Sequence, residues 1–290
     1  MRFSIVTATY NRKNLLIDAI ESVAVQNFDD LEHIVVDGGS NDGTLEALKA
    51  YPGLKIISEP DEGVYDAMNK GIRAAMGDVI ILLNSDDLLP PGTLDFAAKQ
   101  FEDSPNLDAL YGAVEIQDMQ DNVLAKYDAP HLLDLSKAGD TSYPILTNAR
   151  FIKRDLLMQI GTFDISFPRL SDNDLFIKLK HTDHKFQTTQ CVLYCYRSHE
   201  GSLTIRGNFA DASIWQEYLA LGYKGMQQTS EASPIYEEYK KLYIWSAFRC
   251  WRFHVFNFGA LMDKFKTIKN AYTILMKLLI TKTIRKVLPA

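Results

Sequence analysis

The chain has 290 residues, 47% hydrophobic and 23% charged, a composition that fits a soluble globular protein of one large domain or two modest ones and excludes a low-complexity or fibrous chain. No stretch reaches 18 uncharged apolar residues, so no transmembrane span is expected, and the opening MRFSIVTATYNR lacks the apolar core and cleavage site of a signal peptide. The net charge of −6 conceals an asymmetry: residues 1–238 are acidic, whereas residues 239–290 carry 11 Lys/Arg against a single Asp.

The first hundred residues alternate strand and helix signals. FSIVTATY (3–10) is an apolar, β-branched run and predicts a strand. NLLIDAIESVAVQ (14–26) places Leu15, Leu16, Ala19, Ile20 and Val23 on one helical face. LEHIVVD (31–37) is the next strand, GGSNDG a turn, and TLEALKAY a helix capped by Asp42 or Ser40. LKIISE (54–59) is a strand, VYDAMNKGIRAAM (64–76) a helix with Gly77 as its C′ residue, and DVIILLN (78–84) a further strand. Continuous apolar strands separated by amphipathic helices imply an α/β fold, a mostly parallel sheet covered on both faces, whose ligands sit beyond the carboxyl ends of the strands.

Beyond Pro90-Pro91-Gly92 the alternation loosens. Strands are expected in LDALYGAVEIQ and NVLAKYD, around the turn DMQDN; residues 131–150 give no clear signal. RFIKRDLLMQIG (150–161) predicts a helix closed by Gly161, and SDNDLFIKLKH (171–181) a helix with Ser171 or Asp172 near its N-cap. FQTTQCVLYCYRSH (186–199) is a strand, and from about residue 207 the pattern is helical. Cys191, Cys195 and Cys250 are too few and too odd in number for a disulfide framework. No second pair completes a zinc site, which fits small buried side chains in a reducing cytosol.

The expected strand ends collect acids on one edge: Asp37, then Glu59, Asp61 and Glu62, then Asp86 and Asp87. Two adjacent carboxylates beside an apolar run need a positive partner, and a hard divalent cation carrying a diphosphate is one that suits oxygen ligands. A plain turn or cap role for the Asp pair is the competing reading. No G-x-G-x-x-G follows the first strand and no G-x-x-x-x-G-K-[ST] occurs, which argues against dinucleotide and P-loop cradles.

FSIVTATYNR, HIVVDGGSNDGT, EPDEGVYDAMNKGIRAAMGDVIILLNSDD and GTFDISFPRLSDNDLFIKL, taken in order over about 200 residues, resemble the successive motifs of the family 2 glycosyltransferases. The DEGVYDAMNKG block resembles bacterial colanic-acid and capsule members in particular. The resemblance implies a GT-A fold, Rossmann-like with a mostly parallel central sheet flanked by helices. It implies inverting transfer from a nucleotide-diphosphate sugar, foremost a UDP-sugar, to a carbohydrate or polyprenyl-linked acceptor. Thr7, Ala8, Thr9 and Tyr10 would line the base pocket with backbone groups. Asp37 would accept from a base N–H, and Asp61 would lie near base or ribose. Ser85, Asp86 and Asp87 fill the D-x-D position, with Asp86 toward ribose and metal and Asp87 on a Mn²⁺ or Mg²⁺ ion. The second acid of the frequent D-D-G-S is Gly38 here, which leaves base recognition on Asp37. Asp172 would be the general base, with Asp174 its competitor and helix capping its alternative role. His199, in YRSHEGSLT, would reach metal or diphosphate, or else be a loop histidine. Lys70 and Arg73 are candidates for phosphate contact or for a solvated face.

The expected organisation is a catalytic domain over 1–206, with a donor half to residue 100 and an acceptor half after it, and a basic helical extension over 207–290. The extension could lie on an anionic membrane, pack as an arm, or dimerise. The first would place the protein in the cytoplasm, peripheral on the inner face of the membrane. Nucleic acid is not expected as a partner. A nucleotidyltransferase, or a non-catalytic sugar-binding protein on the same fold, is the alternative function. The first usually needs a Gly-rich basic loop that TATYNRKN lacks.

Overall fold

The structure, a computed structural model, describes residues 1–129, 149–201 and 212–256. Two compact units divide the chain, Met1–Gly207 and Asn208–Ala290. The first unit opens with β1 (Phe3–Thr9), α1 (Lys13–Ala24), β2 (Leu31–Asp37), α2 (Thr44–Leu48), β3 (Leu54–Ser58), α3 (Val64–Ala74), β4 (Val79–Leu82) and α4 (Thr93–Asp103). It continues with β5 (Ala109–Gln117), β6 (Val123–Tyr127), β7 (Arg150–Lys153), α5 (Arg154–Ile160), α6 (Ser171–Lys180) and β8 (Phe186–Arg197).

These strands form one sheet in the order β3-β2-β1-β4-β7-β5-β6, with β8 paired to β5. The run β3-β2-β1-β4 is parallel. β7 enters antiparallel between β4 and β5, β6 runs antiparallel to β5, and β8 runs parallel to it. Every residue of β1 is buried, because the sheet is covered on both faces and successive side chains point to opposite sides. Phe3 and Ile5 pack with Ala19 and Val23 of α1 and Leu94, Ala97 and Phe101 of α4. Val6 and Ala8 pack on the other face with Ala67, Met68 and Ile72 of α3. α3 lies so close to β1 that a Cβ on Gly71 would stand 2.2 Å from Val6 Cγ1. This is the α/β architecture expected from the alternation, and it brings the carboxyl ends of β1, β2, β3 and β4 to one edge.

Several local expectations are corrected: Gly43, not Asp42 or Ser40, is the N-cap of α2, and Cys191 of β8 is exposed, not buried. Residues 150–153 are not helical: they form β7, with Phe151 opposite both Ile81 and Leu110, and α5 begins only at Arg154. The apolar spacing of 150–161 reads as helix because the two strands that capture its first four residues are remote in sequence. Gly77 is not a left-handed C′ residue. α3 ends in the extended Ala75, and the Gly77 N–H donates to Ser4 Oγ at 2.8 Å. Glycine is needed there because a Cβ would meet the Phe3 carbonyl carbon at 2.8 Å.

The second unit contains α7 (Ala212–Gln228) and α8 (Pro234–Phe256). They pair antiparallel, with Trp215 edge-on to Trp245 at 4.9 Å and Gly225 against the Tyr239 ring. Among the described residues no helix is long and apolar enough to cross a membrane. Most of the basic segment expected to meet a membrane or a partner lies outside the described residues, as do residues 130–148.

Candidate active site

The Asp pair occupies a turn directly after β4, where the Asp87 N–H closes on the Asn84 carbonyl at 3.2 Å. β8 comes alongside, through paired bonds between Leu88 and Cys195 of 3.0 and 2.9 Å. Asp87 is only 1% exposed. Its Oδ2 accepts from Tyr194 Oη at 2.7 Å and from Asn84 Nδ2 at 2.9 Å, and its Oδ1 from the Arg197 N–H at 2.9 Å. Burial, reinforced by the neighbouring Asp86 charge, pushes the Asp87 carboxyl up to about 7 against the pull of these three donors. The same burial, with the Asp87 charge beside it, raises the Tyr194 phenol well above its ordinary range.

Asp86 faces outward from the same turn. Its Oδ2 is held by the Arg12 guanidinium and lies 3.1 Å from His199 Nε2. Arg12 also donates to the Gly201 carbonyl at 3.1 Å, and the Gly201 N–H donates to His199 Nδ1 at 3.1 Å. Arg197 fixes the turn from behind. Its Nε donates to the Asp86 carbonyl at 2.6 Å, and its guanidinium reaches Asp18 at 2.6 Å and the Leu15 carbonyl at 3.2 Å on α1. Positive charge therefore does meet the pair at Asp86, from Arg12, while Arg197 binds the turn through the Asp86 carbonyl and its own N–H and pairs its charge with Asp18.

The second cluster stands at the ends of β1 and β2. Asp37 is fully buried. Its carboxylate accepts from the Gly39 N–H at 3.1 Å, the Ser40 N–H at 3.1 Å and Ser58 Oγ at 2.9 Å, which secures the turn and ties it to β3. The Gly38 N–H donates to the Thr9 carbonyl at 3.0 Å. Thr9 Oγ1 is buried without a hydrogen-bond partner among the described residues. Asp61 Oδ1 accepts from the Gly63 N–H at 2.9 Å, ahead of α3. Asn11, at φ 51°, links the β1 end to the turn: its N–H donates to Ser40 Oγ and its Oδ1 accepts from the Asn41 N–H. Since Asn11 reaches residues 40–41 and Arg12 reaches Asp86, the two clusters are adjacent.

The other expected residues are placed as follows. Thr7 is a strand residue whose Oγ1 pairs with His33 Nε2 at 2.9 Å; burial pushes His33 down to about 4, so that imidazole is neutral near pH 7. Ala8 points into the core beneath α3 and offers the pocket only its backbone. Tyr10 is 58% exposed at the end of β1. Ser85 is buried at the head of the acidic turn. Lys70 is engaged by Glu59 at 3.1 Å, Asp66 at 3.2 Å and the Pro60 carbonyl at 2.8 Å, so it braces the loop that carries Asp61.

Asp172 stands half-buried in the first turn of α6, where Leu170 rather than Ser171 or Asp172 is the N-cap. Its Oδ1 accepts from the Asn173 N–H and side-chain amide at 2.8 and 3.0 Å. Asp174 is buried and ion-paired with Lys178 at 2.6 Å. The buried Arg150 of β7 lies with its guanidinium 4.5 Å over the Phe176 ring. Burial lowers the Arg150 pKa, and the Tyr111 and Asp172 charges oppose that.

The donor chemistry suits a hard divalent cation: carboxylates and an imidazole, oxygen-rich and nitrogen-tolerant. The protein's share is small. Among the described residues no group of three His, Cys, Asp or Glu side chains is placed to hold a metal. Asp86 Oδ2 and Asp87 fit such an ion only as part of a set completed by phosphate oxygens and water.

Arg12, Tyr194 and Arg197 escaped sequence reasoning because they act across 74 to 189 residues of chain, and Asn84 because its position, three residues before Asp87, reads as the end of a strand. The one available signal was the unbalanced acidic doublet itself, which required cations from elsewhere.

Comparison with known proteins bears on this site. The family model described as "Glycosyl transferase family 2" matches residues 4–169. A "PGL/p-HBAD biosynthesis glycosyltransferase" of Mycobacterium tuberculosis is 31% identical over 182 residues, 61% of this chain and 68% of the relative. The "Uncharacterized glycosyltransferase YwdF" of Bacillus subtilis is 28% identical over 204 residues, 68% of this chain and 74% of that protein. Among solved structures, S. aureus TarS 1-349 in complex with UDP-GlcNAc superposes with a TM-score of 0.65 at 16% identity, covering 93% of this chain and 79% of that one. The mannosyltransferase PcManGT from Pyrobaculum calidifontis, in complex with GDP-Man and Mn²⁺, superposes with a TM-score of 0.59 at 19% identity, covering 99% and 87%. The fold is that of these GT-A proteins, the model match takes in the whole acidic edge, and the chain belongs to glycosyl transferase family 2.

Proposed function

We propose that the chain is an inverting, metal-dependent glycosyltransferase that moves a sugar from a nucleotide-diphosphate sugar to a carbohydrate acceptor during cell-surface polysaccharide assembly. The observation that carries this reading is the pairing of two clusters on one sheet edge: an acidic turn with His199 beside it, and the group of Asp37, Gly38 and Asp61 at the ends of β1 and β2. The orphaned Thr9 hydroxyl supports a ligand there, since a buried hydroxyl without a partner is costly. The exposed Tyr10 ring offers a face for base stacking. The neighbours solved with UDP-GlcNAc and with GDP-Man and Mn²⁺ support a nucleotide-sugar donor and a metal. The resemblance of Asp61–Gly71 to capsule-type members supports a surface glycan, on a polyprenyl carrier at the inner membrane face, as acceptor.

Base and ribose seat over β1 and β2, between Thr7–Tyr10, Asp37, Asp61 and Asp86. Lys70 contributes by holding the Asp61 loop. Asp86 and Asp87, completed by diphosphate oxygens and water, would hold Mn²⁺ or Mg²⁺, which would offset negative charge on the departing diphosphate, with His199 beside Asp86 within reach of metal or diphosphate. Arg12, already on Asp86, must release that carboxylate as the donor binds. Asp172 accepts the proton of the acceptor hydroxyl as its oxygen attacks the anomeric carbon from the face opposite the diphosphate, and the C–O bond to phosphate breaks. Asp174 is unsuited to this because Lys178 already holds its carboxylate.

A thermal-shift panel of UDP, GDP, CDP and ADP, each with and without Mn²⁺, tests the donor site. A Mn²⁺-dependent rise in melting temperature with one of them is expected, because a ligand of the folded state stabilises it by mass action. No rise with any of the four would overturn the reading. Proton NMR of the product then reads the anomeric configuration: inversion is expected, and retention would overturn the single-displacement mechanism.

A further inference from the structure

Asp37 is followed by a glycine, and the structure shows what fills the space that a side chain there would take. A Cβ built on Gly38 would lie 2.4 Å from Asp61 Oδ2, 3.0 Å from its Cγ and 3.3 Å from its Oδ1. The Asp61 carboxylate fills the volume that a side chain at position 38 would occupy. The glycine is not there for its backbone: Gly39 next to it has φ +87°, whereas Gly38 lies outside the left-handed region. Position 38 would accept any L residue conformationally, and what it lacks is room.

The two acids of this cluster differ in what they have left to offer. Asp37 is sealed and committed to Gly39, Ser40 and Ser58. Asp61 spends Oδ1 on the Gly63 N–H, and among the described residues no donor reaches its Oδ2. That oxygen sits over Gly38, whose N–H binds the Thr9 carbonyl. The loop is held in place by Lys70 through Glu59, Asp66 and Pro60.

We propose that Asp61, seated in the space left open by Gly38, is the acceptor that reads the nucleobase, and that Asp37 is a positioning residue that holds the turn beneath it. This rests on the donor-site reading above and assigns its specificity. A carboxylate oxygen accepts only. Facing the ring nitrogen, it favours a base that presents a ring N–H there, as uracil does at N3 or guanine at N1, over cytosine, which presents an acceptor at N3.

Three variants test the assignment by titration with UDP, GDP and CDP in the presence of Mn²⁺. Asp61→Asn keeps an oxygen for the Gly63 N–H and turns the outer atom from acceptor to donor. Its affinity for the nucleotide preferred by the native chain should fall about tenfold or more, the scale of one charged hydrogen bond. CDP should fall less or rise. Gly38→Asp, forced against Asp61, should weaken binding similarly and lower the melting temperature. The exchanged pair Gly38→Asp with Asp61→Gly should recover both, because one carboxylate again occupies the shared space. If Gly38→Asp does not fold, Gly38→Ala supplies the same steric challenge, and its melting temperature should rise when Asp61→Gly is added.

An Asp61→Asn chain with the native base preference would overturn the assignment, as would an exchanged pair no better than either single variant. A native chain that binds none of the nucleotides would instead overturn the donor-site reading and this assignment with it. The two failures are thus told apart by the native chain alone.

Discussion

Asp172 and Asp87 are the residues whose chemistry is most exposed to test. With Asp172 as general base, Asp172→Asn should lower kcat by about 10²–10⁴-fold, the usual worth of such a group, and leave the donor Kd unchanged. Steady-state kinetics beside calorimetric donor titration checks both; undiminished turnover would assign the proton to another group. Asp87 makes a different prediction. Folded, it keeps its proton up to about pH 7, whereas an unfolded aspartate loses it near 3.8. Between those values the folded state binds the extra proton, so this group's contribution to stability is full below the lower value, is lost as pH rises through the window, and is level above it. Urea denaturation of metal-free protein between pH 5 and 8 should show this decline, and Asp87→Asn should flatten it. The acids themselves were legible in the sequence because strand ends and motif order placed them. Their partners were not: Arg12, Tyr194 and Arg197 meet them only through tertiary packing.

At the scale of elements, α3 is the one that joins the Asp37–Asp61 cluster to the rest of the first unit. Asn69 on α3 exchanges two hydrogen bonds with the Phe163 backbone, donating to its carbonyl at 2.8 Å and accepting from its N–H at 2.9 Å. Asn69→Ala strands both buried backbone groups and should cost about 2–6 kcal/mol of unfolding free energy, at 1–3 kcal/mol for each unmet group. Gly71→Ala drives a methyl into Val6 and should cost about 1–3 kcal/mol by overpacking. Chemical denaturation measures both. The periodicity of 64–76 announced α3, and the continuous apolar runs announced β1, β2 and β4, because local burial patterns suffice for elements of a parallel sheet. β7 did not announce itself. Four residues, RFIK, become a strand only because β4 and β5 stand ready on either side. Gly77 was misread for a related reason, since its neighbour is Phe3 of another strand and not the helix it follows.

For the whole molecule, charge is the organising variable. The body is acidic, while residues 239–290 hold 11 basic side chains and one acidic one. Full-length protein should sediment with vesicles containing anionic lipid, release as salt is raised above about 0.15 M, where the screening length falls below about 8 Å, and ignore neutral vesicles. Equal sedimentation with neutral vesicles would remove the electrostatic account of the segment. The sequence shows this imbalance directly, but not the surface it meets, because charge counts carry no geometry.

The junction of Leu88 with Cys195, and of Asp87 with Tyr194 and Arg197, has a consequence for biosynthesis. The parallel half of the sheet is complete once β4 has left the ribosome, yet the turn after it lacks its phenol, its amide donor and its histidine until more than a hundred further residues have been translated. A nascent chain arrested before Tyr194 would leave Asp87 beside Asp86 without the phenol and the backbone donor that β8 brings. Maturation of the centre is therefore a late event that awaits β8, the last strand of the sheet in chain order.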